Sequence, residues 1–227
     1  MPDLIIKPEA TSGNKLILQD QAGGAVLTTA DSGATLGTIS GGTLESGVTG
    51  RGCLQKVHTI TASNDATVAF SSTYITSTYK RYTLEAYDIQ SASDDAAFYL
   101  SVSTDNGSSY LSSGATRINI SNTSDASNDT IKSRNTSNNG VLQLGGGYNF
   151  GTGTGEVGAY TMELVNFSDT AHYKLMYYNG AFVNQSGSSG INLGAGIWHH
   201  TDAINNIKFH FSSGNILAGT FVLYGIF

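Results

Sequence analysis

The chain has 227 residues and a net charge of −6, and only 12% of its residues are charged, about half the ~25% of an average soluble domain. Its 11 lysines and arginines are scattered along the sequence, which argues against a nucleic acid or an anionic membrane as partner, since both call for a basic stripe. No apolar run approaches the ~20 residues of a membrane span, and a single cysteine, Cys53, leaves no internal disulfide to form.

The 28 glycines, with Ser, Thr and Asn at most other polar positions, cut the chain into short β-branched and aromatic runs. That pattern belongs to strands and tight turns rather than helices. Both prolines, Pro2 and Pro8, fall in the first eight residues. The opening Met1-Pro2-Asp3-Leu4-Ile5-Ile6-Lys7-Pro8 has no basic stretch followed by a long apolar one, so it does not read as a secretory signal. The expectation is synthesis in the cytoplasm and, for any role outside a cell, release on a particle after lysis.

Residues 1–50 contain no Tyr, Phe or Trp. Leu4-Ile5-Ile6 and Lys15-Leu16-Ile17-Leu18 are short strand candidates, and Gly23-Gly24 turns the second toward Ala25-Val26-Leu27-Thr28-Thr29. From Gly37 to Gly50 single apolar residues, Ile39, Leu44 and Val48, stand between glycines. One copy has nothing of its own to bury them against, whereas three copies wound about an axis do, and the glycines let the backbones approach. A trimeric stalk is the reading adopted, with a flexible linker as its competitor.

Aromatic content rises after Arg51. Thr67-Val68-Ala69-Phe70 is a candidate strand, and Tyr82 to Ile89 alternates with Tyr82, Leu84 and Ala86 on one face. From Ala97 to Ser103, Phe98, Leu100 and Val102 face in, while Tyr99, Ser101 and Ser103 face out. Residues 121–140 are almost wholly polar and read as a surface excursion or a pair of edge loops. Strands follow at Tyr160–Phe167 and His172–Tyr178, and Asn179-Gly180 before Ala181-Phe182-Val183 is a hairpin signal. Ile207, Phe209 and Phe211 share a face, with Lys208 and His210 on a solvated one. The stretch Gly219–Phe227 is apolar on both faces, as in a covered strand. Eight to ten such strands within about 175 residues predict a sandwich or jelly roll.

Chemistry-bearing motifs are scarce. The glycine-rich stretch Gly145–Gly155 is followed by neither Lys-Ser nor a helix start, so it reads as a loop and not a phosphate cradle. The histidines His58, His172, His199, His200 and His210 show no ligand spacing, and adjacent His199 and His200 point opposite ways in extended backbone. Asp94-Asp95, Asp105 and the Asp125, Asn128, Asp129 group read as turn carboxylates. Glu85 and Glu163 are mid-strand carboxylates that a glycosidase reading would need to pair across a cleft. The expectation is no enzyme, no cofactor and no metal. The most promising binding feature is aromatic: Tyr148, Tyr177, Tyr178 and Trp198, with His199, lie in or beside apparent loops, and exposed rings next to amides suit a sugar. Core or inter-subunit packing is the competing use of those rings.

Two stretches carry a family likeness. Asn14-Lys15-Leu16-Ile17-Leu18-Gln19-Asp20-Gln21-Ala22-Gly23-Gly24-Ala25-Val26-Leu27-Thr28-Thr29, running on to Thr35, resembles N-terminal regions of fibre-like virion proteins of aquatic tailed phages. Asp202-Ala203-Ile204-Asn205-Asn206-Ile207-Lys208-Phe209, then Ser213-Gly214-Asn215-Ile216 and Gly219-Thr220-Phe221-Val222-Leu223-Tyr224-Gly225-Ile226, are similar to their terminal domains. The resemblance implies a homotrimer in the virion, carried on the capsid as a decoration protein or short head fibre, or on the tail as a receptor-binding fibre that meets host-surface glycan. The resulting expectation is an all-β chain: an N-terminal anchor over 1–36 that docks on capsid or tail proteins, a Gly-rich stalk over 37–50, and a jelly-roll-like β-sandwich knob over 51–227.

Overall fold

The computed structural model describes residues 54–124 and 129–227, with the side chains of 117–139 outside the description. The expected anchor, the stalk residues Ile39, Leu44 and Val48, and Cys53 lie outside the described residues. Among the described residues there is no helix. Twelve strands form, β1 (Leu54–Asp65), β2 (Val68–Phe70), β3 (Arg81–Ser91), β4 (Phe98–Ser103), β5 (Ala115–Ser124), β6 (Asp129–Asn139), β7 (Val141–Gln143), β8 (Gly158–Val165), β9 (Lys174–Val183), β10 (Ser189–Trp198), β11 (Asn206–Phe211) and β12 (Ile216–Ile226). They build two antiparallel sheets in a sandwich, one of eight strands ordered β1-β12-β3-β8-β9-β10-β5-β6 and one of four ordered β2-β11-β4-β7.

Aromatic side chains fill the space between the sheets. Phe98 on β4 lies 5.8 Å from Tyr160 on β8, 5.8 Å from Phe209 and 5.1 Å from Phe211 on β11. Phe209 in turn meets Phe221 on β12 at 5.3 Å. All of these rings are buried, and tilted or offset contacts at such spacings are the favoured arrangement for rings in a core. β12 is flanked by β1 and β3, and Phe221, Val222 and Leu223 are buried in succession, as its two apolar faces predict.

Four local expectations are corrected. Asn179-Gly180 is not a turn: β9 runs straight through it, pairing Asn179 with Leu193 and Gly180 with Asn192. Glycine is needed there because a Cβ at 180 would collide with the ring of Tyr160, its cross-strand partner on β8. The polar stretch 121–140 supplies most of a hairpin, β5 with β6, closed at Ser124↔Asp129; an edge strand needs little apolar content, which hid it from a hydrophobic pattern. Ser101 and Ser103, expected outside, are buried. Ser101 meets the His210 ring at 2.9 Å, and the Ser103 hydroxyl donates to Asp105 Oδ1 at 2.7 Å. Lys208 and His210 are likewise covered in part, because the β4–β5 loop folds Tyr110 over this face with the Lys208 ammonium 3.6 Å from the ring centroid.

Within β8, β9 and β10 the rings of Tyr160, Tyr178 and Phe182 lie over Gly180, Gly194 and Gly190 of the adjacent strand, each pair in direct register. A Cβ at any of the three glycines would overlap the ring. Gly194→Val is therefore expected to lower the unfolding free energy by about 1–3 kcal/mol, read by urea denaturation. A matched Ala195→Val on the opposite face should stay within about 0.5 kcal/mol of wild type.

Candidate functional site

The structure separates the expected sugar-binding residues instead of gathering them. Trp198 closes β10 with its side chain fully buried, edge-on to Phe167 at 5.7 Å. Tyr178 is also buried, on the inner face of β9. Neither can stack on a sugar, and both stand corrected to core residues; alternation along the strands decided this, since each faces inward in register. Tyr177, one residue away, points outward and is 55% exposed. His199, next to Trp198, is exposed and sits edge-on to Tyr173 at 5.1 Å. Tyr148 is half-buried in the β7–β8 loop, at the opposite end of the larger sheet from His199. The two ends are one strand length apart, roughly 30 Å.

Those two ends differ. One is marked by a row of cross-strand partners, Leu54, Ile226, Arg81, Val165, Leu175, Ile197 and Thr116. Here the buried Lys174 ammonium donates to the carbonyls of Asp169 at 2.5 Å, His172 at 2.7 Å and Thr201 at 2.9 Å. All three of its donors are used. Burial holds its pKa below the ordinary lysine value, against the pull of Asp169 and Asp202. The ammonium thus pins the β8–β9 loop to the β10–β11 loop, fixing the segments that carry His172, Tyr173 and His199. Asp169 Oδ1 accepts from the N–H groups of Ala171 and His172 at 2.7 Å each, and these bonds hold its carboxyl below the usual range.

The other end is a set of polar loops tied by side-chain amides. Asn149 Nδ2 donates to Asp95 Oδ1 at 2.9 Å, and Asn184 Oδ1 accepts from the N–H of Ser186 at 2.9 Å and of Ser188 at 3.0 Å. Asp95 has φ 54, in the left-handed region that Asn and Asp tolerate best after Gly. The glycine-rich stretch is part of this end and is a loop as expected, with the Glu156 carboxylate accepting from Gly153 N–H at 2.5 Å.

Between the ends lies the outer face of the eight-stranded sheet. Toward β3 and β8 it is polar. Glu85 and Glu163, which the sequence alone could not bring together, sit on neighbouring strands of this face, offset by two residues, because Glu85 pairs with Thr161 and Thr83 with Glu163. Each is engaged: Thr83 Oγ1 donates to Glu163 Oε1 at 2.7 Å, Arg81 Nε lies 3.3 Å from Glu163 Oε2, and the Glu85 carboxylate lies near the Tyr224 hydroxyl and, after burial, helps raise its pKa. They lie on an open face, not across a cleft. A shallow depression of about 490 Å³ runs beside them, lined by Glu85, Tyr87, Thr161, Asn179, Ala181 and Ile191. Toward β10 the face turns apolar, with Ile191 and Leu193 59% and 56% exposed. Sequence reading missed this strand, because its glycines masked an alternation whose large residues point outward. Among the described residues no group of three or more His, Cys, Asp or Glu is placed to hold a metal ion.

Two outcomes follow from this geometry. Lys174→Met keeps the stem length and removes the donors, and is expected to cost roughly 2–4 kcal/mol of stability, read by thermal or urea unfolding. Asp105 takes hydrogen bonds from the Ser109 and Ser103 hydroxyls at 2.6 and 2.7 Å, which lower its pKa from 3.8 to about 2. A folded pKa below the unfolded one means stabilisation that is present above pH 4 and lost as the pH falls toward 2. Protection of the β4–β5 loop amides, taken relative to unstructured exchange at each pH, should therefore fall in that window in wild type, and the step should vanish in Asp105→Asn.

No family model, curated protein or solved structure matches this chain.

Proposed function

We propose that the chain is a structural, non-enzymatic protein of a bacteriophage particle. In this reading it is a capsid decoration protein or short head fibre that assembles as a homotrimer and projects the β-sandwich from the particle surface. The observation that carries the reading is where the sandwich is tethered. The sandwich opens at Leu54, whose register partner is Ile226, so its connection to the preceding residues is at the Lys174 end of the larger sheet. In this reading the opposite end, with its amide-tied loops, faces outward, as suits a domain held on a stem. The likeness of residues 14–35 and 200–227 to fibre-like virion proteins, and a surface solubilised by hydroxyls and amides more than by charge, support the same reading. Its parts are an anchor over 1–36 bound to capsid or tail proteins, a stalk in which Ile39, Leu44 and Val48 of three copies meet, and the knob.

A tail-borne, receptor-binding role is the second reading. It is favoured by one feature: at the end opposite Lys174 the partly buried ring of Tyr148 precedes Asn149, which bonds Asp95 and Gln185, so that an aromatic edge, amides and a carboxylate lie near one another for a saccharide.

Labelling the protein on intact particles and counting copies by electron microscopy tests the proposal. Hundreds of copies are expected on the capsid; a few to tens at the tail would favour the second reading, and absence from particles would end both. Binding of the isolated protein to host polysaccharide, abolished by Tyr148→Ala and untouched by Tyr177→Ala, is the expected signature of the second reading. Trp198→Ala should instead act through the fold, lowering stability by about 3–5 kcal/mol in denaturant titrations.

A further inference from the structure

We propose that the depression on the outer face of β3, β8 and β9 is a binding site for a neutral saccharide chain. The proposal goes beyond the reading above and does not rest on it, since the site is the same wherever the chain is carried.

The depression exists because small side chains lie between large ones. Ala159 on β8, Ala181 on β9 and Ile191 on β10 stand in one row across the sheet, each in register with the next. The two alanines form a floor. Tyr87 on β3, 43% exposed, and Ile191 are the walls. A second hollow of about 350 Å³ shares Tyr87, Ala159, Ala181 and Ile191 with the first, so the two form one trough that runs on to Asp88 and Ser189. The backbone is distorted where Tyr87 stands. Between the pairs Ala86↔Tyr160 and Ile89↔Gly158 the register shifts, so Tyr87 and Asp88 together face Ala159, and Asp88 has φ 56. A bulge of this kind re-aims a side chain, and a non-glycine residue held in the left-handed region is costly backbone of the sort that collects at ligand sites.

The groups along the trough suit a sugar ring. One row from the alanine floor, Glu85, Thr161 and Asn179 are in register across β3, β8 and β9. Among the described residues, the Thr161 hydroxyl and the Asn179 amide have no hydrogen-bond partner. The three side chains set donors and acceptors side by side, as neighbouring sugar hydroxyls require, while the Tyr87 ring and the floor take the apolar C–H face of a pyranose. A wholly apolar ligand would strip water from these polar groups without replacing its hydrogen bonds. The charges of the trough are the carboxylates of Glu85 and Asp88, and among the described residues no lysine or arginine lines it, so an anionic polymer is repelled. A peptide that docks by strand addition needs a free sheet edge, whereas β8 and β9 each have a neighbour on both sides. The volume at the polar end, about 490 Å³, is within the ~300–1,000 Å³ of small-ligand sites. From Thr161 to Val157 the trough is roughly 13 Å long, which accommodates more than one ring.

Calorimetric titration of the full chain with cellohexaose, maltohexaose and an N-acetylglucosamine hexamer, and with hexagalacturonate as the anionic counterpart, tests the proposal. At least one neutral probe is expected to bind, and the anionic one is not. Tyr87→Ala and Ala181→Tyr are each expected to weaken that binding roughly tenfold or more, the first by removing a wall and the second by filling the floor. Ala181 is exposed, so the filled variant keeps the fold even where loss of the Tyr87 ring does not. Tyr148→Ala is expected to leave the affinity unchanged. No binding of any neutral probe up to about 10 mM, a preference for hexagalacturonate, or full affinity in Ala181→Tyr overturns the proposal. Loss of binding in Tyr148→Ala but not in Tyr87→Ala also overturns it and moves the site to the loops of the tail-borne reading, which survives. Absence of the protein from phage particles ends that reading and leaves the trough untouched.

Discussion

Rings seated over glycines in β8, β9 and β10 are the constraint from which most of the molecule's surface follows. Tyr160 lies over Gly180, Tyr178 over Gly194 and Phe182 over Gly190. Each pairing lets one strand's ring fill the inner face of its neighbour, so the neighbour contributes no bulk of its own there. A glycine inside a strand costs up to about 1 kcal/mol in chain entropy, and burial of a ring over it offsets that cost several times. The consequence appears on the other side of the sheet. Once rings from β9 occupy the inner face of β10, the aliphatic residues of β10 can only face outward, and an apolar outer face results.

The loops are organised by a different device. Within the sandwich, packing of Phe98, Tyr160, Phe209 and Phe221 suffices; at the ends, single polar side chains each satisfy several backbone groups. Lys174 does this for three carbonyls, Asp169 for two N–H groups and Asn184 for two more. Buried backbone carbonyls without partners would cost more than the desolvation of one ammonium that serves three of them. A low-charge sequence thus ties its loops with very few ionisable groups. The charges it does keep, such as Arg81 with Glu163 at the margin of the outer face, are exposed and contribute little to stability.

These two features make the two ends of the sandwich different. One end, where Leu54 and Ile226 pair, is clamped by Lys174; the other is a set of amide-tied turns; the outer face between them is polar on β3 and β8 and aliphatic on β10. The proposed place in a phage particle draws on that asymmetry together with the sequence likeness, and the aromatic residues first singled out as a sugar site contribute to it mainly as core.

The sequence alone determined the all-β class, the sandwich and the inner faces of the strands with clear alternation, because period-two patterns such as Phe98, Leu100, Val102 and Ile207, Phe209, Phe211 are fixed by backbone geometry. It also kept Gly145–Gly155 a loop. Only the tertiary structure decided the fate of Asn179-Gly180, a turn by local chemistry but straight strand under the ring of Tyr160. The hairpin in the polar stretch 121–140 and the inverted face of β10 were likewise settled by their neighbours, since an edge tolerates polar strands and glycine leaves its space to the next strand. Trp198 and Tyr178 were read as exposed for the same reason: one residue of register separates them from the outward His199 and Tyr177, and register belongs to the assembled sheet, not to any segment of it.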